Sequence, residues 1–201
     1  MANKEPILCV DLCKSAAVMA YLKDNEPCII TQININNIRA DDAETLMREI
    51  ISTSQNKWQP NIQQMMLSVP NYYTFVEISK LRKAAEKCGI ELLKTMTRAE
   101  ALTVHFSYSN KRLETQVTTI INSPDSIELY TAEISDDIVE SLFMKSFNAH
   151  TQLEFKNFHE YFGKSTTVCL CDTYRNQILY EQIENQCKTQ LKNYEIIRAV
   201  K

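Results

Sequence analysis

Short apolar runs, each about as long as a β-strand, recur along the chain and alternate with segments of helical periodicity. In the first half they predict strands at 7–12, 15–22, 28–33, 65–69 and 90–96, and helices at 41–56, 74–88 and 98–107. Thr74 and Glu77 have the T-x-x-E spacing of a capping box, and Gly89 is typical of the residue that follows a helix end. The predicted order is therefore βββαβαβα.

The second half repeats this order without its last helix. It predicts strands at 116–121, 126–134, 137–144, 166–171 and 194–200, and helices at 153–162 and 176–191. The run from Asn122 to Asp125 is a strong turn signal between the first two of these strands.

The repeated order predicts two similar α/β lobes, residues 1–110 and 111–201, each with a mixed sheet whose first two strands form an antiparallel hairpin. Helix 74–88 should pack on the first sheet through an apolar face. The residues of that face are Ile78, Leu81, Ala84 and Cys88.

Charge and composition exclude several classes of protein. A net charge of −3 argues against nucleic acid or an anionic membrane as partner, and the absence of a signal peptide or membrane-length apolar run favours a cytoplasmic protein. Seven cysteines without a CxxC pair predict reduced thiols and no metal site. Only two glycines occur in 201 residues, so a glycine-rich phosphate cradle is not expected.

Residues 65–108 carry a family resemblance. Val69-Pro70-Asn71-Tyr72 matches V-P-x-Y, and the stretch from Ala84 to Lys94 matches a helix end and the following strand of the same family. Asp11-Leu12 matches the start of its first phosphate hairpin. These motifs resemble the ATPase domain of the DnaK (seventy-kilodalton heat-shock) chaperones, which implies duplicated actin-like lobes, here without the large lobe insertions.

Several departures from the family pattern remove catalytic roles. Cys13-Lys14 and Pro124-Asp125 replace glycines of the two phosphate hairpins, and Cys171-Asp172 replaces the glycines beside adenosine. By the resemblance, Asn122 stands at the position of the magnesium-side aspartate and Arg98 at that of a glutamate. The insertion that carries the catalytic lysine is missing. The resemblance therefore implies a pseudo-ATPase without catalytic residues.

Asp11, Lys14, Ser15 and Arg175 are the remaining candidates for nucleotide contact. Asp11 would hold a water on Mg²⁺, and Lys14 would offset a phosphate charge. The other interpretation is an ordinary turn that Asp11 caps while Lys14 is solvated, and the loss of the other groups favours it.

The expected function is a non-catalytic protein-binding adaptor or a component of a chaperone complex or another multiprotein complex. No cofactor is expected. The alternative is a regulator that binds ATP or ADP with Mg²⁺ and hydrolyses it weakly or not at all. Trp58, Tyr72 and Tyr73 lie near predicted turns and are candidates for partner contact, although packing explains them equally well. The missing insertions leave apolar lobe surface to cover, which favours a homodimer or a stable heteromeric complex.

Overall fold

The computed structural model describes residues 6–13, 15–23, 26–35, 42–58, 62–110, 115–122, 126–135, 138–148, 167–172, 177–190 and 195–198. The chain divides into two compact units, Met1–Arg98 and Ala99–Lys201. Each unit contains one five-stranded mixed sheet, and the described parts of the chain also form four helices. The predicted α/β class is confirmed.

The first sheet has the strand order β3-β2-β1-β4-β5. Its strands are β1 (Ile7–Leu12), β2 (Ala16–Lys23), β3 (Glu26–Asn34), β4 (Gln64–Val69) and β5 (Glu91–Thr97). Strand β2 is antiparallel to both β1 and β3, whereas β1, β4 and β5 run parallel. The predicted hairpin of the first two strands is confirmed.

Two helices, α1 (Ala43–Trp58) and α2 (Phe75–Lys87), cover one face of this sheet. Leu8, Val10 and Leu12 alternate with half-buried residues along β1, as expected for a strand with one face in the core. They share a single apolar cluster with residues of both helices, including Met47 and Leu81. Both crossover helices therefore lie on the same side of the first sheet.

Local signals define both ends of α2. The Thr74 hydroxyl accepts a hydrogen bond from the Glu77 amide at 3.3 Å, and the Glu77 carboxylate accepts one from the Thr74 amide at 2.7 Å. After the helix, Gly89 has a φ of 74°, which residues with a side chain rarely adopt. The predicted buried face is confirmed, because Leu81 and Ala84 are buried and Ile78 and Cys88 pack against the same core.

The second sheet has the order β10-β9-β6-β7-β8. Its strands are β6 (Thr115–Asn122), β7 (Ser126–Ser135), β8 (Ile138–Asn148), β9 (Thr167–Asp172) and β10 (Glu195–Arg198). Strand β7 is antiparallel to β6 and β8, and β6, β9 and β10 run parallel. Numbered within its own unit, this sheet has the same strand order as the first one.

Helix α3 (Arg98–Asn110) packs on one face of the second sheet, and α4 (Gln177–Gln190) packs on the other. Ala99 and Phe106 of α3 lie in apolar clusters with residues of this sheet, and the Thr103 hydroxyl is hydrogen-bonded to the Thr119 hydroxyl. The division between the units falls after Arg98, the first residue of α3, whereas the sequence predicts it at residue 110.

The helix predicted at 153–162 lies outside the described residues. Among the helices that the structure describes, none has the length and apolar character needed to cross a membrane.

Candidate functional site

Three polar side chains lie at one edge of the first sheet. Asp11 is near the carboxyl end of β1, Ser68 is near that of β4, and Arg98 directly follows β5. Because these strands run parallel, their carboxyl ends meet at the same edge, where ligands of α/β proteins commonly bind. This edge is the candidate site of the first unit.

Two donors converge on one oxygen of Asp11. The Arg98 Nε donates to Asp11 Oδ1 at 3.1 Å, and the Ser68 hydroxyl donates to the same oxygen. The Cys13 thiol lies 4.0 Å from the other oxygen, Oδ2. The Arg98 side chain is only 11% exposed and that of Asp11 is 38% exposed. The site is therefore a half-buried ion pair with a supporting hydroxyl.

This arrangement opposes cation binding at Oδ1. Arg98 is protonated at any physiological pH and already neutralises the carboxylate through a charge-assisted hydrogen bond. A metal ion at Oδ1 would have to displace this guanidinium or tolerate its charge nearby. The described residues also contain no group of three or more His, Cys, Asp or Glu side chains that could hold a metal.

Backbone groups of the turn between β1 and β2 form hydrogen bonds with other backbone groups of the first unit. The Cys13 amide donates to the Ala16 carbonyl at 2.7 Å, and the Ile35 amide donates to the Ser15 carbonyl at 2.9 Å. The first contact occupies an amide that a phosphate-binding turn would direct at its ligand. Ser15 is half-buried, whereas Lys14 lies outside the described residues.

The corresponding hairpin of the second unit is apolar where the first carries Asp11. Leu12 pairs with Ala17 to close the first turn, and Asn122 pairs with Ile127 to close the second, each pair enclosing a turn of equal length. By this register Ile121, which precedes Asn122, corresponds to Asp11. Ile121 is fully buried in a cluster with Ala99 and Cys171 of the same unit.

The other predicted positions of the second unit are only partly described. Asn122 and Cys171 are buried at the ends of β6 and β9. Pro124, Asp125 and Arg175, together with the side chain of Asp172, lie outside the described residues. The structure therefore brings Asp11 and Ser15 into one region of the first unit and leaves Lys14 and Arg175 unplaced.

Three of the seven cysteines have the character of structural thiols. All seven are free. Burial raises the pKa of Cys169 and that of Cys187 to about 11, so both are protonated at neutral pH. Burial also raises the pKa of Cys9. These three thiols are therefore poor nucleophiles.

An exposed apolar surface lies at the start of α2. Phe75 is 85% exposed, and Tyr72 and Val76 beside it are also exposed. We name these three residues the α2 patch. The Tyr72 ring lies against that of Tyr73, with 5.7 Å between the centroids. Tyr73 is half-buried, and burial, followed by the charges of Glu77 and Cys13, raises its pKa.

Sequence reasoning missed some of these features. Ser68 could have been found from its position at the end of a predicted strand that runs parallel to β1. The role of Arg98 as the partner of Asp11 had no local signal, because 87 positions separate the two residues. Phe75 lies one helical turn before the half-buried Ile78, so periodicity alone places it on the buried face. The Trp58 side chain lies outside the described residues.

A scan of the sequence against family models finds no match, and no curated protein matches it significantly.

Proposed function

We propose that this chain is a non-catalytic relative of the DnaK-family ATPase domain and that it acts as an adaptor by binding another protein. The resemblance of residues 65–108 supports the family assignment. The common strand order of the two sheets fits the duplicated actin-like lobes that the resemblance implies. The partner we propose is a chaperone or a subunit of another multiprotein complex.

The observation that carries the non-catalytic part of this proposal is the ion pair between Asp11 and Arg98. By the resemblance, Asp11 is the retained residue of the first phosphate hairpin that would hold a water on Mg²⁺, and Arg98 takes the place of a glutamate. Catalysis of phosphoryl transfer depends on metal ions and oriented donors. Here the Arg98 guanidinium donates a hydrogen bond to the Asp11 carboxylate. The Cys13 amide of the first turn donates to the Ala16 carbonyl and is therefore not directed at a ligand.

The α2 patch is the surface we propose for protein binding. Aromatic residues are enriched at the buried centres of interfaces, and a solvent-exposed Phe beside an exposed Tyr and Val is apolar area that a partner would remove from water. The patch follows Val69-Pro70 at the end of β4 and is presented by a helix with a well-defined cap.

Thermal unfolding with and without Mg-ATP or Mg-ADP tests the non-catalytic part. A ligand present at one hundred times its Kd adds about 2.7 kcal/mol of stability, so even weak binding shifts Tm measurably. We expect no shift and no phosphate release. A shift or turnover that disappears in Asp11→Ala would reject this part of the proposal and favour the nucleotide-binding regulator.

Comparative affinity capture tests the protein-binding part. We expect wild-type protein to retain a stoichiometric partner that a Phe75→Ser/Val76→Ser variant loses. Ile178→Ser is the matched control, since Ile178 is a similarly exposed apolar residue on α4. Equal recovery with the patch variant and the control would show that the α2 patch is not the binding surface.

A further inference from the structure

Strand β8 is the last strand at one end of the second sheet, as far as the structure describes the chain. It is 11 residues long and pairs with β7 on one side. Within the described parts of the chain, no strand pairs with its other side. An edge strand in general presents backbone N–H and C=O groups with which a further strand can pair.

The side chains of this edge are partly apolar. Val139, Phe143 and Phe147 pack inward against the clusters of the second unit. In contrast, Ile138, Leu142 and Met144 are between 45% and 64% exposed. A long edge strand with three exposed apolar side chains favours pairing with another chain.

One acidic residue of β8 lies next to another acidic residue within the sheet. Glu140 lies directly opposite Glu133 of β7, and both residues are exposed. Like charges in directly opposite positions destabilise a strand pair. A positive charge on the outer side of Glu140 would offset this repulsion.

A β-bulge sets which residues of β8 share a face. Ala132 pairs with Ser141 and Thr131 pairs with Phe143, so Leu142 is the extra residue. The bulge shifts the alternation of side chains by one position. As a result Glu140, before the bulge, and Lys145, after it, point to the same face of the sheet.

We propose that β8 pairs antiparallel with β8 of a second copy of this chain, about a two-fold axis next to Leu142. Each copy would add its five-stranded sheet to a continuous sheet. In this register Glu140 of each copy lies opposite Lys145 of the other. Ile138 lies opposite Phe147, and Ser141 lies opposite Met144.

Two features favour a second copy over an unrelated extended peptide. The register that the bulge permits is self-complementary in charge, because one strand supplies both Glu140 and Lys145. The same register also places the Lys145 ammonium group of the second copy next to Glu140, where its charge offsets the repulsion between Glu133 and Glu140. This inference does not depend on the proposed pseudo-ATPase function.

Charge exchange across the interface provides the test, measured by sedimentation velocity on the full-length protein. We expect wild type to dimerise and Glu140→Lys and Lys145→Glu each to weaken the dimer at least about tenfold, since each places two like-charge pairs in the interface. The Glu140→Lys/Lys145→Glu double variant should recover the dimer. An equimolar mixture of the two single variants should form a heterodimer.

Circular dichroism confirms that each variant is folded, and Glu181→Lys, an exposed charge reversal on α4, should leave the dimer unchanged. Wild-type protein that stays monomeric at about 100 μM would overturn the proposal. Dimers that tolerate both single variants, or single variants that fail to form a heterodimer when mixed, would also overturn it. A monomer whose β8 binds an extended peptide from another protein would assign the edge to that partner instead.

Discussion

Arg98 and Asp11 form an ion pair whose two members differ in solvent access. Arg98 is nearly buried, so its desolvation has to be offset by its hydrogen bonds, whereas Asp11 keeps contact with water. Losing one partner of such a pair leaves a charge in a partly dry environment.

A double-mutant cycle measures this pair. Arg98→Ala should lower the free energy of unfolding by about 1.5 kcal/mol, because the Asp11 carboxylate loses a charge-assisted donor. Asp11→Ala combined with Arg98→Ala should cost less than the sum of the two single changes. Chemical denaturation gives all three values. Arg48→Ala, which removes an exposed ion pair with Glu44, is the control and should change the free energy of unfolding much less than Arg98→Ala does. Additive effects at Asp11 and Arg98 would contradict the coupling.

The packing of elements in the first unit includes a charged link between its two helices. The Glu44 carboxylate of α1 accepts hydrogen bonds from Arg48 at 2.7 Å and from Lys87 of α2 at 2.9 Å. These contacts, first with Arg48 and then with Lys87, lower the pKa of Glu44 from its usual 4.5 to about 2. The link therefore depends on an ionised carboxylate.

The lowered pKa predicts a pH window for this link. A carboxyl group with a lower pKa in the folded state contributes stability above its unfolded pKa, and this contribution disappears as pH falls. We expect Glu44→Gln to lower Tm at neutral pH, and the difference from wild type to vanish between pH 4.5 and about 2. Glu86→Gln removes an exposed carboxylate from α2 and is the control. A difference that persists unchanged to pH 2 would show that Glu44 acts through packing instead of charge.

At the scale of the whole molecule, the main feature is that α3 packs in the second unit. Its residues Ala99, Thr103 and Phe106 contact the second sheet, and the division between the units falls just before Ala99. The helix therefore stabilises the unit that follows it in the chain.

Truncation of Phe106 tests this membership. Phe106→Ala should lower the free energy of unfolding by about 3–5 kcal/mol, because it opens a cavity in a buried cluster. Hydrogen exchange should then show lost protection in β6, β7 and β9, and much smaller changes in β1, β4 and β5. Phe75→Ala makes the same chemical change at an exposed site and should have little effect. Equal loss of protection in both sheets would contradict the assignment of α3 to the second unit.

The sequence by itself determined the elements, since their signals are local. Alternating apolar residues mark β1 and β4, a cap formed by Thr74 and Glu77 starts α2, and Gly89 ends it with a positive φ. Each of these signals depends on residues within a few positions of one another, so it can be read without knowledge of the fold. The antiparallel hairpins followed for the same reason, because short turns join neighbouring strands.

Only the tertiary structure decided which distant groups meet. Asp11 is hydrogen-bonded to Ser68, which is 57 positions away in the sequence, and to Arg98, which is 87 positions away. These residues meet because the parallel strands bring their carboxyl ends to one edge of the sheet. The sheet on which α3 packs depends on apolar surface offered by strands that follow it, and this is not encoded within the helix. The bulge at Leu142 likewise arises from pairing with β7. Contacts of this kind depend on three-dimensional packing between elements, whereas sequence patterns report only the neighbourhood along the chain.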